Sequence, residues 1–250
     1  MRPGNVSRIA TVACGAPGVR QALADGDVPV IVDVLRFSST VTTAVANGFT
    51  IIPADRRDEA EQLADRLGAA VSGPTGKARY SLSPLDYLEA KAPEDVVLVS
   101  PNGASLARIV GGKEIAFVAC LLNARSAGRL LREVSERTGK GIALIAAGEA
   151  AEEQETDLAQ RRFAIEDWLG CGAILAELRM EESPEAVVCR RTFEACRHDV
   201  ADLIKGSLSG RYLSKKGFDF DLSHCVQRGI YEILPMLREG RISMYGGDLG

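Results

Sequence analysis

Seven short apolar runs constrain this chain more than any other feature: "RIATVA", "VPVIVDVL", "FTIIPA", "AAVSG", "DVVLVS", "EIAFVAC" and "GIALIAAG". They have strand length and are continuous in Val, Ile, Leu and Ala instead of alternating with polar residues. Strands of that kind are covered on both faces, as in a parallel sheet lying between helices. Segments of helical period separate them. "RDEAEQLADRLG" sets Ala60, Leu63, Ala64 and Leu67 on one face and stops at Gly68. "SAGRLLREVSERTG" aligns Ala127, Leu130, Leu131 and Val134 before Gly139. Strand-then-helix order repeated in this way predicts an α/β fold, a three-layer α/β/α sandwich around a mostly parallel sheet.

With 250 residues, 46% of them hydrophobic, the chain can bury a large core. It reads as one domain over 1–250, with any division into two lobes near 148–163, where the acidic "EAAEEQETDLAQRR" interrupts the apolar pattern. Beyond it, "FAIEDWLGCGAILAELRM" predicts a helix with Ile165, Trp168, Leu169 and Gly172 inward. "SPEAVVCRRTFEACRHDVADLI" predicts one more, opened by Ser183 and Pro184. The remaining tail carries no clear period.

Several function classes drop out early. A net charge of −4 with no basic stripe argues against a nucleic-acid partner. No apolar run approaches the roughly 18 residues of a membrane span. The six cysteines, at 14, 120, 171, 189, 196 and 225, form no C-x-x-C pair and sit mostly in apolar surroundings. That pattern suits reduced core thiols and a cytoplasmic location.

Chemistry concentrates in "VIVDVLRFSSTVTTAVANG", Val30 to Gly48. A buried strand runs into Asp33, then Arg36, then Ser38, Ser39 and Thr40, where a helix with Val41, Ala44 and Val45 on one face should begin. In open α/β sheets ligands bind at the carboxyl ends of strands, beside the free N–H groups of the next helix. An acid, a fork-shaped cation and an anion-ready helix start suggest a phosphate held by Arg36 and the Ser38–Thr40 turn, with Asp33 as metal ligand or nucleophile. The plainer alternative is an Asp–Arg ion pair with a Ser/Thr N-cap.

Two further stretches could join it. "LVSPNGASLA" is strand, turn and helix, and its Asn102-Gly103 step exposes backbone N–H groups. "AIEDWLG" carries adjacent Glu166 and Asp167 near a helix start. Neighbouring carboxylates diverge around a helix, so at most one faces a site unless both lie in its first turn; Mg2+ needs only one or two. "CGAPGVR" has the Cys14-to-Arg20 spacing of cysteine-dependent phosphatases, but Gln21 stands where Ser or Thr usually follows.

Together these stretches resemble the 2-phosphosulfolactate phosphatase family. The ordered set is "VIVDVLRFSSTVTTAVANG", "YSLSP", "SPNGASLA", "LLNARSAGRLL", "AAGE", "FAIEDWLGCGAIL", "SGRYLSKKGFDFD" and "ILPML". The resemblance implies an α/β/α fold and Mg2+-dependent hydrolysis of a small phosphorylated acid. In organisms that make coenzyme M, it implies conversion of 2-phosphosulfolactate to sulfolactate. Carried onto this chain, it implies catalytic Asp33 and Arg36, phosphate contacts at Ser38, Ser39, Thr40, Asn102 and Gly103, and metal ligands Asp33, Glu166 and Asp167. A homodimer is expected. The chain also departs from the family. Gly73-Pro74 replaces a Gly-Glu pair, and a later loop is shortened to "KARYSLSP", so one Glu and one loop Asp are missing; Glu149 is a candidate substitute. These departures bear on the substrate more than on the fold. Another class of function, a non-catalytic binder of a phosphorylated or carboxylated metabolite, would keep the anion cradle without turnover.

Overall fold

The computed structural model describes residues 8–88, 92–112, 114–150 and 161–249. In chain order the first strands are β1 (Ile9–Cys14), β2 (Val28–Val32), β3 (Thr50–Ala54), β4 (Ala70–Val71), β5 (Asp95–Val99) and β6 (Ala116–Val118). They are followed by β7 (Ile142–Ala146), β8 (Glu149–Ala150), β9 (Arg161–Arg162), β10 (Glu181–Glu182), β11 (Pro235–Arg238) and β12 (Arg241–Met244). The first five helices are α1 (Gly15–Ala24), α2 (Phe37–Ala46), α3 (Arg57–Leu67), α4 (Gly103–Val110) and α5 (Ala124–Thr138). The others are α6 (Ile165–Leu178), α7 (Pro184–Cys196), α8 (Val200–Gly206), α9 (Leu208–Lys215) and α10 (Asp219–Cys225).

Ten strands form one mostly parallel sheet in the order β10-β1-β7-β2-β6-β11-β12-β3-β5-β4. Helices cover both faces, giving the expected α/β/α layers. Val28, Val30 and Val32 point into the core beneath α5, α6 and α7, while Ile31 points the other way, beneath α1, α2 and α4. A third, smaller core of Ile52, Ala54 and Val97 lies under Ala60 and Ala64 of α3. Strands on either side of residues 148–163 belong to the same sheet.

The β11–β12 hairpin divides the sheet into two parallel blocks. It pairs antiparallel within itself, with β6 on one side and with β3 on the other. Three reversals make the β3–β5–β4 block run counter to β1–β7–β2–β6. At about 20–25° of twist per neighbour, the five steps from β2 to β5 leave their directions about 55–80° apart instead of opposed. The carboxyl ends of the two blocks can therefore converge.

Some expectations change on contact with the structure. Leu67 is largely exposed, although Gly68 ends α3 in the left-handed conformation as read. Instead of presenting one apolar face, α2 is buried all round from Phe37 to Val45. The single helix expected from Ser183 breaks into α7 and α8. The exposed Arg197, His198 and Asp199 have nothing apolar to bury, and the Asp199 amide closes a turn onto the Cys196 carbonyl at 2.8 Å. At the two ends of the acidic stretch β8 and β9 pair antiparallel; residues 151–160 lie outside the described residues. Helix α1 forms despite a Gly- and Pro-containing sequence, because Gly15, Ala16, Gly18, Val19 and Ala22 all find a buried face.

Candidate active site

Strand β2 ends by delivering Asp33 to the meeting point of two helix starts. The Phe37 amide at the beginning of α2 donates to Asp33 Oδ1 at 3.2 Å, and the Gly103 amide at the beginning of α4 donates to Oδ2 at 2.8 Å. Both helix dipoles favour negative charge there. The Asp33 amide in turn donates to Ser38 Oγ at 2.9 Å. Both carboxylate oxygens are thus oriented by backbone, and the residue is only 3% exposed.

Gly103 is required by this meeting. A Cβ on it would lie 2.2 Å from Cδ1 and 2.5 Å from Cγ of Phe37, so any side chain would push α4 away from the β2–α2 junction. The same absence lets its N–H reach Asp33.

Asp167 completes the buried acid pair from α6. Its Oδ1 accepts from the Val34 amide at 2.8 Å, and its Oδ2 from the Gly148 amide at 2.9 Å, just past β7. The side chain therefore ties the strand ends of β2 and β7 to the first turn of α6. Burial holds its carboxyl well above the usual range, and the charges of Asp33 and then Glu166 push it further up; the two amides pull the other way.

Glu166, one residue earlier, is equally buried but turns elsewhere. Its carboxyl is raised by burial first, drawn down by the Ser209 hydroxyl and by the local backbone, and raised again by Glu149. Glu149 itself accepts from Ser209 and pairs with Arg162 at 3.2 Å. The adjacent acids thus diverge, Asp167 toward Asp33 and Glu166 toward Glu149 and Ser209.

Arg36, the N-cap residue of α2, pairs with Asp221 of α10. Its guanidinium stacks on Phe218, with Cζ 4.6 Å from the ring centre, and Nη2 lies 3.5 Å from Thr75 Oγ1. Asp221 Oδ1 also accepts from Ser83 at 2.6 Å. Asp86 lies close by; burial raises its carboxyl, the Ser81 hydroxyl and amide lower it, and Asp221 and Arg36 act on it in opposite directions. The plainer alternative foresaw an ion pair for Arg36, but its partner comes from 185 residues away.

The hydroxyl run serves the backbone. Ser38 donates to the Ile31 carbonyl at 3.2 Å, Ser39 to Val34 at 2.8 Å and Thr40 to Leu82 at 2.8 Å, and all three residues are fully buried. They lock the β2–α2 junction and join it to the 72–83 loop. Asn102, half-buried, receives the Ser105 hydroxyl on its carbonyl at 2.6 Å.

Cys14 ends β1 at the same edge, but α1 starts immediately after it and carries Arg20 on its exposed side. The residue is exposed, yet burial of its sulfur, and then Asp167, raise the thiol. A phosphatase nucleophile needs the opposite shift, together with a loop between Cys and Arg. The cysteine reading of "CGAPGVR" is overturned.

The sequence alone does not single out Asp221, Phe218 or Ser83, which surround Arg36. In "GFDFD" the buried Asp221 and the exposed Asp219 are alike as letters, and only packing separates them. A paired-acid helix preceded by an aromatic was the one available signal.

Among the described residues, no three His, Cys, Asp or Glu side chains form a ready-made metal cage. The donor chemistry at Asp33 and Asp167 nevertheless fits Mg2+, since it consists of two buried hard-oxygen carboxyl groups under mutual repulsion. No helix among the described residues is long and apolar enough to cross a membrane.

A family model described as 2-phosphosulpholactate phosphatase matches residues 18–240. A probable 2-phosphosulfolactate phosphatase of Symbiobacterium thermophilum is 32% identical, over 87% of this chain and 94% of its own length. The 2-phosphosulfolactate phosphatase of Methanothermobacter thermautotrophicus is 31% identical, over 86% of this chain and 88% of its own. That of Methanocaldococcus jannaschii is 23% identical, over 80% and 84%. With its buried acid pair at the carboxyl edge of the sheet, this chain belongs to the 2-phosphosulfolactate phosphatase family of phosphoric monoester hydrolases.

Proposed function

We propose that the protein hydrolyses a small phosphorylated acid of the 2-phosphosulfolactate type, giving sulfolactate and phosphate, with Mg2+ held by Asp33 and Asp167. The observation that carries this reading is the convergence of the two carboxylates at the ends of β2 and β7, each oriented through both oxygens by backbone amides. When bound, Mg2+ supplies neutralisation of phosphoryl charge and an activated water. Asp33, with both oxygens engaged by helix-start amides, acts as a ligand rather than as a nucleophile. Asp167 faces it as the second ligand, and Glu166 supports the first turn of α6 through Ser209.

Arg36 supplies the cation. Nη1 is taken by Asp221 and Nη2 reaches Thr75 at 3.5 Å, and the N–H groups left over suit phosphoryl or carboxyl oxygens. Asn102 adds a polar contact at the rim. Ser38, Ser39 and Thr40 contribute by holding the junction's shape, since their protons go to main-chain carbonyls. The same reading places the protein in the cytoplasm as a homodimer, with Leu208, Tyr212 and Phe220 offering exposed apolar surface to a second copy.

Phosphate release tests the proposal, measured on 2-phosphosulfolactate and a panel of small phosphorylated acids with Mg2+ and with EDTA. Turnover that needs Mg2+ and prefers 2-phosphosulfolactate is expected. Ligand binding by calorimetry without turnover on any substrate would favour a non-catalytic binder, and undiminished turnover in EDTA would remove the metal.

A further inference from the structure

Arg36 and Asp221 form a pair that stability alone explains poorly. Both are nearly fully buried, at 9% and 5% side-chain exposure. Removing two charges from water costs about as much as their attraction returns, and apolar residues of similar volume often serve as well. What the pair does provide is direction. Asp221 uses its two oxygens on different chain segments, Oδ2 on Arg36 of the β2–α2 junction and Oδ1 on Ser83.

Ser83 is itself anchored. Its Oγ also accepts the Leu85 amide at 3.3 Å and so caps the turn Pro84–Tyr87. From the other side, the Phe218 ring lies against the guanidinium, with Cζ 4.6 Å from the ring centre, and this contact limits the positions the group can take. Thr75 of the same 72–83 loop stands at the Nη2 edge. Arg36 is held by a carboxylate at one edge, an aromatic on one face and a loop hydroxyl at the other edge.

We infer that Asp221, together with Phe218, is a positioning residue: the C-terminal helix α10 sets the angle at which Arg36 meets the substrate's anionic groups and links that angle to the 72–83 loop. This rests on the reading that Arg36 binds substrate. Asp221 touches no reacting atom; it acts through Arg36. A cation displaced by an ångström loses about 100-fold in rate through misorientation.

The test compares wild type with Asp221→Ala, Asp221→Asn, Arg36→Ala and the double variant Arg36→Ala/Asp221→Ala, each shown folded by circular dichroism. KM, kcat and competitive inhibition by inorganic phosphate are measured in Mg2+. Asp221→Asn keeps the side-chain shape and serves if the alanine variant does not fold. Loss of Asp221 should raise KM and the phosphate inhibition constant together and lower kcat/KM about 100-fold. The double variant should be no worse than Arg36→Ala alone. A lowered melting point with KM and phosphate inhibition unchanged would overturn the inference, because a merely structural ion pair behaves that way. So would losses that multiply in the double variant. Wild-type kcat/KM in Arg36→Ala would instead remove the role of Arg36, whereas an impaired Arg36→Ala beside an unimpaired Asp221→Asn would overturn the inference alone.

Discussion

The two strand-to-helix junctions that meet at the site are built by opposite means. After β2 the chain places Asp33, then surrounds it with hydroxyls that satisfy the Ile31, Val34 and Leu82 carbonyls. After β5 it places Gly103, and what matters is that nothing projects from it, so that its N–H reaches Asp33 at 2.8 Å. One junction supplies charge and needs polar side chains to keep the backbone satisfied around that charge. The other supplies a bare donor and needs a missing side chain. A buried carboxylate is tolerated where a second, independently placed helix start completes its solvation.

The comparison breaks most sharply at Gly103. Gly103→Ala puts a methyl group into the Phe37 ring and withdraws the amide from Asp33. Overpacking of this kind costs about 1–3 kcal/mol. Loss of the bond that orients Asp33 Oδ2 should lower kcat/KM by about 100-fold. Thermal unfolding and phosphate-release kinetics check the two effects separately. At the other junction, Ser38→Ala removes the acceptor of the Asp33 amide and the donor to Ile31. An unsatisfied buried group costs about 1–3 kcal/mol. At about 2–4 °C per kcal/mol for a chain of this size, the melting point should fall measurably, with a smaller loss of activity than in Gly103→Ala.

A gentler test uses pH. The Asp167 and Glu166 carboxyls are raised in the folded state, so the folded protein binds protons that the unfolded chain has already released. Stability then decreases as pH rises from the ordinary carboxylate range through the raised values. In EDTA the melting point should fall as the pH is raised above the ordinary carboxylate range, and Asp33→Asn should flatten that slope by removing one repelling charge. Added Mg2+ should oppose the fall. A melting point that climbs across this window would contradict the crowded-acid description. The smallest effect belongs to Cys14→Ser, which should leave kcat/KM within about twofold, since the raised thiol is no nucleophile.

How much of this could be read from the sequence differs between the same two junctions. Asp33 and Arg36 stand out as letters because charge is conspicuous after "VPVIV". Gly103 is legible as part of an Asn-Gly turn, but its real requirement, close approach to Phe37, depends on a contact across 66 positions. The layered α/β scaffold was legible because strands covered on both faces have a continuous apolar pattern. The β11–β12 hairpin was not, since "PMLR" and "RISM" are too short and too mixed to show a period. The reversal it imposes, and with it the convergence of β2 and β5, was therefore hidden. The partner of Arg36 was hidden for a related reason, because Asp221 differs from Asp219 only in what packs around it.

The most direct measurement is phosphate release from 2-phosphosulfolactate by Asp33→Asn beside wild type, at saturating Mg2+, with folding verified by circular dichroism. If Asp33 holds the metal at the meeting of the two helix starts, the rate falls by about 1,000-fold, the order lost when a group stabilising transition-state charge is removed. A folded Asp33→Asn protein that turns over at the wild-type rate would place the chemistry elsewhere and contradict the account.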